Sequence, residues 1–235
     1  MNSGGTVRLA CPAKVNLALS VGSTDQEDPA GRHPIASWMV AVDLTDQLAL
    51  TESTDGKSRF EIQFDTDRAS MSGRSGQVDW PLESDLAYRA HVAVQEKVNR
   101  ELPVDLVLHK RIPTGAGLGG GSSNAAATLV GLNTLFDLGL DADQLSATAR
   151  ELGSDVAFAL ASMLGITSAL VSGFGQVIQP HALAGPIDLV LILPPFGCPT
   201  GEVYMAFDGI HGPDTARKAD LPAVTKLANC NPLPP

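Results

Sequence analysis

RIPTGAGLGGGSSNAA, residues 111–126, decides the fold class of this chain. Five of the seven positions from Gly115 to Gly121 are glycine. Upstream, Val104, Leu106 and Leu108 show the alternation of a strand. Downstream, Ala125, Leu129, Leu132 and Phe136 make a helical stripe closed by Gly139. The order is therefore strand, glycine loop, helix. Backbone N–H groups can approach an anion closely where no Cβ intervenes, and the following helix adds the positive end of its dipole. Ser122 and Ser123 add hydroxyls for phosphate or metal. A mobile surface turn is the plainer reading, and the placement between strand and helix argues against it.

Two other glycine loops can be tested against the letters. A Walker A loop needs Lys directly after its second motif glycine, and that position is Gly121. The dinucleotide pattern G-x-G-x-x-G is met by Gly115, Gly117 and Gly120. That fold also requires a second strand after the helix, ending in an acid for the ribose. Here Asp137 and Asp141 fall between two helical segments.

Working outward, Asp141 is placed to cap a helix with Leu145, Thr148 and Leu152 on one side. Gly153 ends it, and Ser154 and Asp155 open another. Toward the N-terminus, Val15, Leu17, Leu19 and Val21 alternate with Asn16, Ala18 and Ser20, so Lys14 and Asn16 share the less apolar face of a strand. Gly22 to Gly31 reads as a loop. Further strands are expected around Trp38–Leu44, Gln47–Leu50 and Phe60–Phe64. Ser84 is expected to cap a helix with Leu86, Ala90, Ala93 and Lys97 in line. Ile166–Val171 and Ile187–Leu193 read as strands, and the tail from Gly209 as irregular.

The bulk properties bound the function. A chain of 235 residues with 44% hydrophobic residues is globular and long enough for a substantial core. No window reaches the roughly 18 consecutive apolar residues of a membrane span, and the first residues lack a secretory pattern, so no membrane partner and a cytoplasmic location are expected. Cys11, Cys198 and Cys230 are widely spaced and fit reduced thiols. A net charge of −10 without a basic run argues against nucleic acid. An anionic nucleotide must then be held by backbone N–H groups, a few local cations and a divalent metal.

Phosphoryl transfer needs a phosphate cradle, a cation, a metal and a group that orients or deprotonates the acceptor hydroxyl. Asp155, in the first turn of its helix, and Lys14 are the candidates for the last group and the cation. Taken singly, the first is an ordinary helix-start charge and the second a strand lysine.

Together with the loop they are more. CPAKVNLALSVG (11–22), RIPTGAGLGGGSSNAAATLVGLN (111–133) and ELGSDVAFAL (151–160), in this order, resemble the GHMP small-molecule kinases. The resemblance implies an α+β fold, with an N-terminal ribosomal-protein-S5-like domain over 1–160 and a C-terminal domain over 161–235 that looks incomplete. It also implies ATP and Mg²⁺ as cofactors and a small-molecule alcohol as acceptor. By position, Asp155 becomes the base and Lys14 its cationic partner. Pro113, Thr114, Gly115, Ala116, Gly117, Leu118, Gly119, Gly120, Gly121, Ser122 and Ser123 hold ATP, with Ser123 also toward the metal. Asn16, His33 and Thr200 face the acceptor. PAKVNL (12–17), Gly31 to His33 and the triple glycine before Ser122 narrow the likeness to members whose acceptor carries a cytidine diphosphate, in the non-mevalonate isoprenoid route. His33 would meet the cytidine end. Acceptors of mevalonate, homoserine or sugar type stay open, as do a non-catalytic ATP-binding relative and either a monomer or a homodimer.

Three departures from the family pattern stand out. Gly31-Arg32-His33-Pro34 replaces Gly-Tyr-His, which removes an aromatic partner for cytosine. Asp85 stands where Asn is usual. No later glycine-rich segment of the G-T-G type follows Thr200.

Overall fold

The computed structural model describes residues 5–24, 31–65, 80–193, 200–211 and 217–230. Cys198 and the middle of the expected 22–31 loop lie outside them. The elements run β1 (Thr6–Val21), β2 (Ile35–Glu52), β3 (Arg59–Phe64), α1 (Leu86–Val98), β4 (Val104–Lys110), α2 (Gly120–Leu135) and α3 (Ala142–Leu152). They continue with α4 (Ser154–Met163), β5 (Ser168–Gly173), β6 (Val177–Pro180), α5 (Thr200–His211) and α6 (Leu221–Ala228). The mixed α+β class is as expected.

Among the described residues six strands form one sheet organised by β2. Its long edge pairs antiparallel with β1 from Val21↔Ile35 to Thr6↔Thr51. On the other side, its first half takes β5 and its second half takes β4, while β3 runs parallel to β4. Sequence reading divides β2 into two strands at Thr45-Asp46; the structure shows one, because Asp46 is a buried carboxylate inside it.

Helices α1 to α4 cover one face of the sheet. Leu48, Leu50, Leu106 and Leu108 from the strands meet Ala90, Val94, Leu129, Leu132, Leu145 and Leu160 from the helices in one buried cluster. Truncating Leu129 or Leu132, both fully buried, costs about 2–5 kcal/mol by loss of transfer energy and cavity formation. On the opposite face Trp38, Val40 and Leu170 pack with Val224 and Ala228 of α6.

Several expectations are corrected. Asp85, not Ser84, caps α1: its carboxylate accepts from Ala87 N and Tyr88 N, and Ser84 belongs to a preceding 3₁₀ turn. The buried stripe of α1 is Ala87, Ala90, His91 and Val94. Of the expected Leu86, Ala90, Ala93 and Lys97, Ala90 is buried and Leu86 packs against the core, but the stripe turns away from Ala93 and Lys97 because His91 is taken inside, where its Nε2 bonds to Leu102 O at 2.8 Å. Residues 187–193 form no strand: Val190 is 91% and Ile192 88% exposed. The segments read as irregular or left unread contain α5 and α6, the second opened by the Asp220 cap with Pro222 in its first turn. The α3 cap at Asp141 is present as a capping box with Gln144.

Candidate functional site

β1 carries Lys14 and Asn16 on a short segment bracketed by two register irregularities, between Pro12 and Lys14 and between Asn16 and Ala18. Such bulges redirect side chains locally. Here they frame two polar residues that converge: Lys14 Nζ donates to Asn16 Oδ1 at 3.1 Å. The same ammonium lies 3.5 Å from Asp155 Oδ2. Lys14 is 14% exposed and Asp155 36%, so the pair faces a partly open space in which a ligand can reach the carboxylate.

Asp155 stands in the first turn of α4, where the helix dipole favours its charge. The tip of the β5–β6 turn fixes that helix start, since a Cβ on Gly175 would collide with Ser154.

The glycine loop joins this group through the backbone. Lys14 N donates to Leu118 O at 2.9 Å, and Leu118 is buried with Ala13 and Ile112. Gly115, Ala116, Gly117 and Gly121 are exposed, and Pro113, Thr114, Gly119, Gly120 and Ser122 are half-buried. A loop anchored at Leu118 therefore shows a glycine crest to solvent. Ser123 lies at the buried end of the first turn of α2, and its Oγ has no hydrogen-bond partner. A buried hydroxyl without a partner is unfavourable, and this one follows directly on the glycine loop.

The structure thus brings Lys14, Asn16, Asp155 and the loop together. His33 belongs to a neighbouring cluster. Its Nδ1 meets Gly22 O at 2.9 Å, and its Nε2 lies 3.3 Å from both Thr24 Oγ1 and Asp208 Oδ2. Its ring stacks on Tyr204 of α5, with centroids 4.8 Å apart and an 18° interplanar angle. Burial, and secondarily the charge of Asp155, push the Tyr204 hydroxyl pKa up. Thr200 opens α5, and its side chain lies outside the described ones.

Sequence reading missed Tyr204, because α5 contains Gly201 and Gly209 and shows no clean helical stripe. Arg32 is also aromatic-bound, with its guanidinium 4.8 Å from the centroid of Phe174. Among the described residues no cluster of three or more His, Cys, Asp or Glu could hold a metal. No helix there is long and apolar enough to cross a membrane.

Comparison with known proteins bears on this arrangement. Residues 85–165 match the GHMP kinases N terminal domain. A 4-diphosphocytidyl-2-C-methyl-D-erythritol kinase of Exiguobacterium sibiricum is 36% identical over 93% of this chain and 68% of its own length. The Bacillus subtilis protein of the same name is 37% identical over 86% of this chain and 64% of its own. A crystal structure of 4-(cytidine 5'-diphospho)-2C-methyl-D-erythritol kinase superposes with a TM-score of 0.62 and 31% identity, covering 94% of this chain and 72% of that one. A sugar kinase structure from Campylobacter jejuni, at 16% identity and a TM-score of 0.53 over 78% of this chain and 61% of that one, shares the fold alone. The chain spans about two thirds, 68% and 64%, of the length of these two curated relatives. The chain belongs to the GHMP kinase family, and over most of its length it is similar to the 4-diphosphocytidyl-2-C-methyl-D-erythritol kinases within it.

Proposed function

We propose that this chain is an ATP-dependent kinase that phosphorylates a hydroxyl of 4-diphosphocytidyl-2-C-methyl-D-erythritol, a step in isoprenoid precursor synthesis. One observation carries the reading: the Lys14 ammonium lies between Asp155 and Asn16, at 3.5 and 3.1 Å, on a residue whose own N–H is bonded to the glycine loop. A hydroxyl-activating group and a phosphate cradle are thereby held in one piece.

In this reading Asp155 accepts the hydrogen bond of the acceptor hydroxyl and takes its proton as the oxygen attacks. Lys14 orients that carboxylate through the ion pair and stabilises negative charge that develops beside it. Asn16 holds the ammonium in place through its amide oxygen. The exposed crest from Gly115 to Gly121 offers N–H groups to the nucleotide phosphates, reinforced by the N-terminus of α2.

The unpartnered Ser123 Oγ would serve as a ligand to Mg²⁺ held jointly with the nucleotide. When bound, Mg²⁺ supplies charge neutralisation on the phosphate oxygens. At the acceptor end, His33 and Tyr204 present a stacked ring pair for a base, so an aromatic group reaches the position from α5 although Arg32 replaces one in the loop.

The test is Mg²⁺-dependent ADP release with this acceptor, compared with mevalonate, homoserine and galactose. Turnover selective for the cytidyl acceptor is expected. Equal or faster turnover of another alcohol would sink the acceptor assignment, and binding of an ATP analogue without turnover of any alcohol would sink catalysis.

A further inference from the structure

Beneath the loop is a constellation to which the kinase reading assigns no role. Asp46 is completely buried in the middle of β2, an expensive place for a carboxylate unless its lone pairs are matched. They are matched on both oxygens. Oδ1 accepts from Arg111 N at 2.7 Å and Ile112 N at 2.8 Å. Oδ2 accepts from Lys110 Nζ and from Asn124 Nδ2, the latter at 3.0 Å. Asn124 Oδ1 in turn accepts from Lys110 Nζ at 2.7 Å, which closes the triangle.

The donors lie on opposite ends of the phosphate loop. Arg111 and Ile112 are its entry from β4, and Asn124 is in α2, at its exit. One carboxylate therefore spans the mouth of the loop. The start of α2 is seated on the same cluster, since a Cβ on Gly120 would stand 2.9 Å from Ile112 Cγ2 and 3.3 Å from Lys110 Nζ. Solvent does not reach Asp46, so it acts through the backbone it holds. Stability alone does not call for this device, because a well-packed apolar side chain serves stability as well or better than a buried ion pair. Four directed acceptor bonds serve geometry.

We propose that Asp46 is the positioning residue of the phosphate loop: neutralised by Lys110, it sets the separation between loop entry and helix start, and with it the arrangement of N–H groups offered to ATP. The role rests on the nucleotide reading given above.

Asp46→Asn keeps the size and one oxygen for Arg111 and Ile112, and turns an NH₂ group on Lys110 and Asn124, both donors. The ATP KM and the Kd of a non-hydrolysable ATP analogue should each rise about tenfold. The kcat and the acceptor KM should stay within about twofold. The double variant Asp46→Asn/Asn124→Asp returns a carboxylate to Lys110 from the helix side and should recover most of the lost ATP affinity. Thermal melts establish that each variant is folded at the assay temperature. If Asp46→Asn does not fold, Asn124→Ala cuts only the helix-side link, on a residue type with better helix propensity, and carries the same expectation. An unchanged ATP KM in a folded variant, a loss confined to kcat, or a swap that recovers nothing overturns the role. A wild-type chain that binds no ATP analogue overturns the nucleotide reading and this role together; equal binding by wild type and variants overturns only the role.

Discussion

A methyl group on Gly119 would stand 2.9 Å from Lys14 Cγ, and Gly119 itself holds φ at 68° as the cap of α2. The space left by the missing side chain is the space taken by the lysine stem. Gly119→Ala meets both a left-handed backbone, at a cost of about 1–2 kcal/mol, and a displaced Lys14. Steady-state ADP release should show kcat reduced by about tenfold or more. A Gly119→Ala enzyme with the wild-type kcat would separate the lysine stem from catalysis.

If the Lys14–Asp155 pair carries the chemistry as proposed, Lys14→Met and Asp155→Asn should each lower kcat by on the order of a hundredfold or more. Calorimetric binding of an ATP analogue to Asp155→Asn should stay close to wild type, because the loop is anchored without that side chain. Near-wild-type turnover in both variants would refute the assigned roles.

Tyr204 stacks on His33. If the ring pair receives the acceptor's base, Tyr204→Ala should raise the acceptor KM by roughly three- to tenfold, the worth of one aromatic pair, with no change in the ATP KM. Tyr204→Phe preserves the ring and should behave as wild type. An ATP KM that moves in parallel with the acceptor KM would place Tyr204 outside the acceptor site.

Burial pushes the Cys11 thiol from 9.0 to about 12, so it stays protonated in the fold where an unfolded thiol ionises. The folded state then binds more protons than the unfolded one from about pH 9 upward. The contribution is fully present below pH 9 and is lost as pH rises toward 12, with a slope of up to about 1.4 kcal/mol per pH unit. Urea unfolding between pH 8 and 10.5 should therefore show a steeper alkaline loss for wild type than for Cys11→Ala. Parallel curves would show that the buried thiol does not govern it.

The glycine loop, the stripe of α2, the Asp141 cap and the shared face of Lys14 and Asn16 were legible because each is a local pattern in a short window. Asp46 defeated the same reading. A polar pair inside an apolar run looks like a strand break, and only the donors from Arg111, Ile112, Lys110 and Asn124 make that carboxylate compatible with a strand interior. His91 shifted the face of α1 for the same reason. In residues 187–193 the apolar letters are those of a strand, but pairing depends on a neighbour that the letters do not name. Tyr204 was invisible because its value comes from the ring of His33, far away along the sequence.

The two halves of the site differ in how far apart along the chain their parts lie. The contacts of Asp46, Lys110 and Asn124 span 14 to 78 residues, whereas Thr24 and Asp208 are 184 apart. Closing long loops carries a larger entropic cost and slows folding. During refolding from denaturant, the proposed nucleotide pocket should mature before the proposed acceptor pocket. The chain would then pass through a stage that holds ATP but has nowhere to send its phosphate.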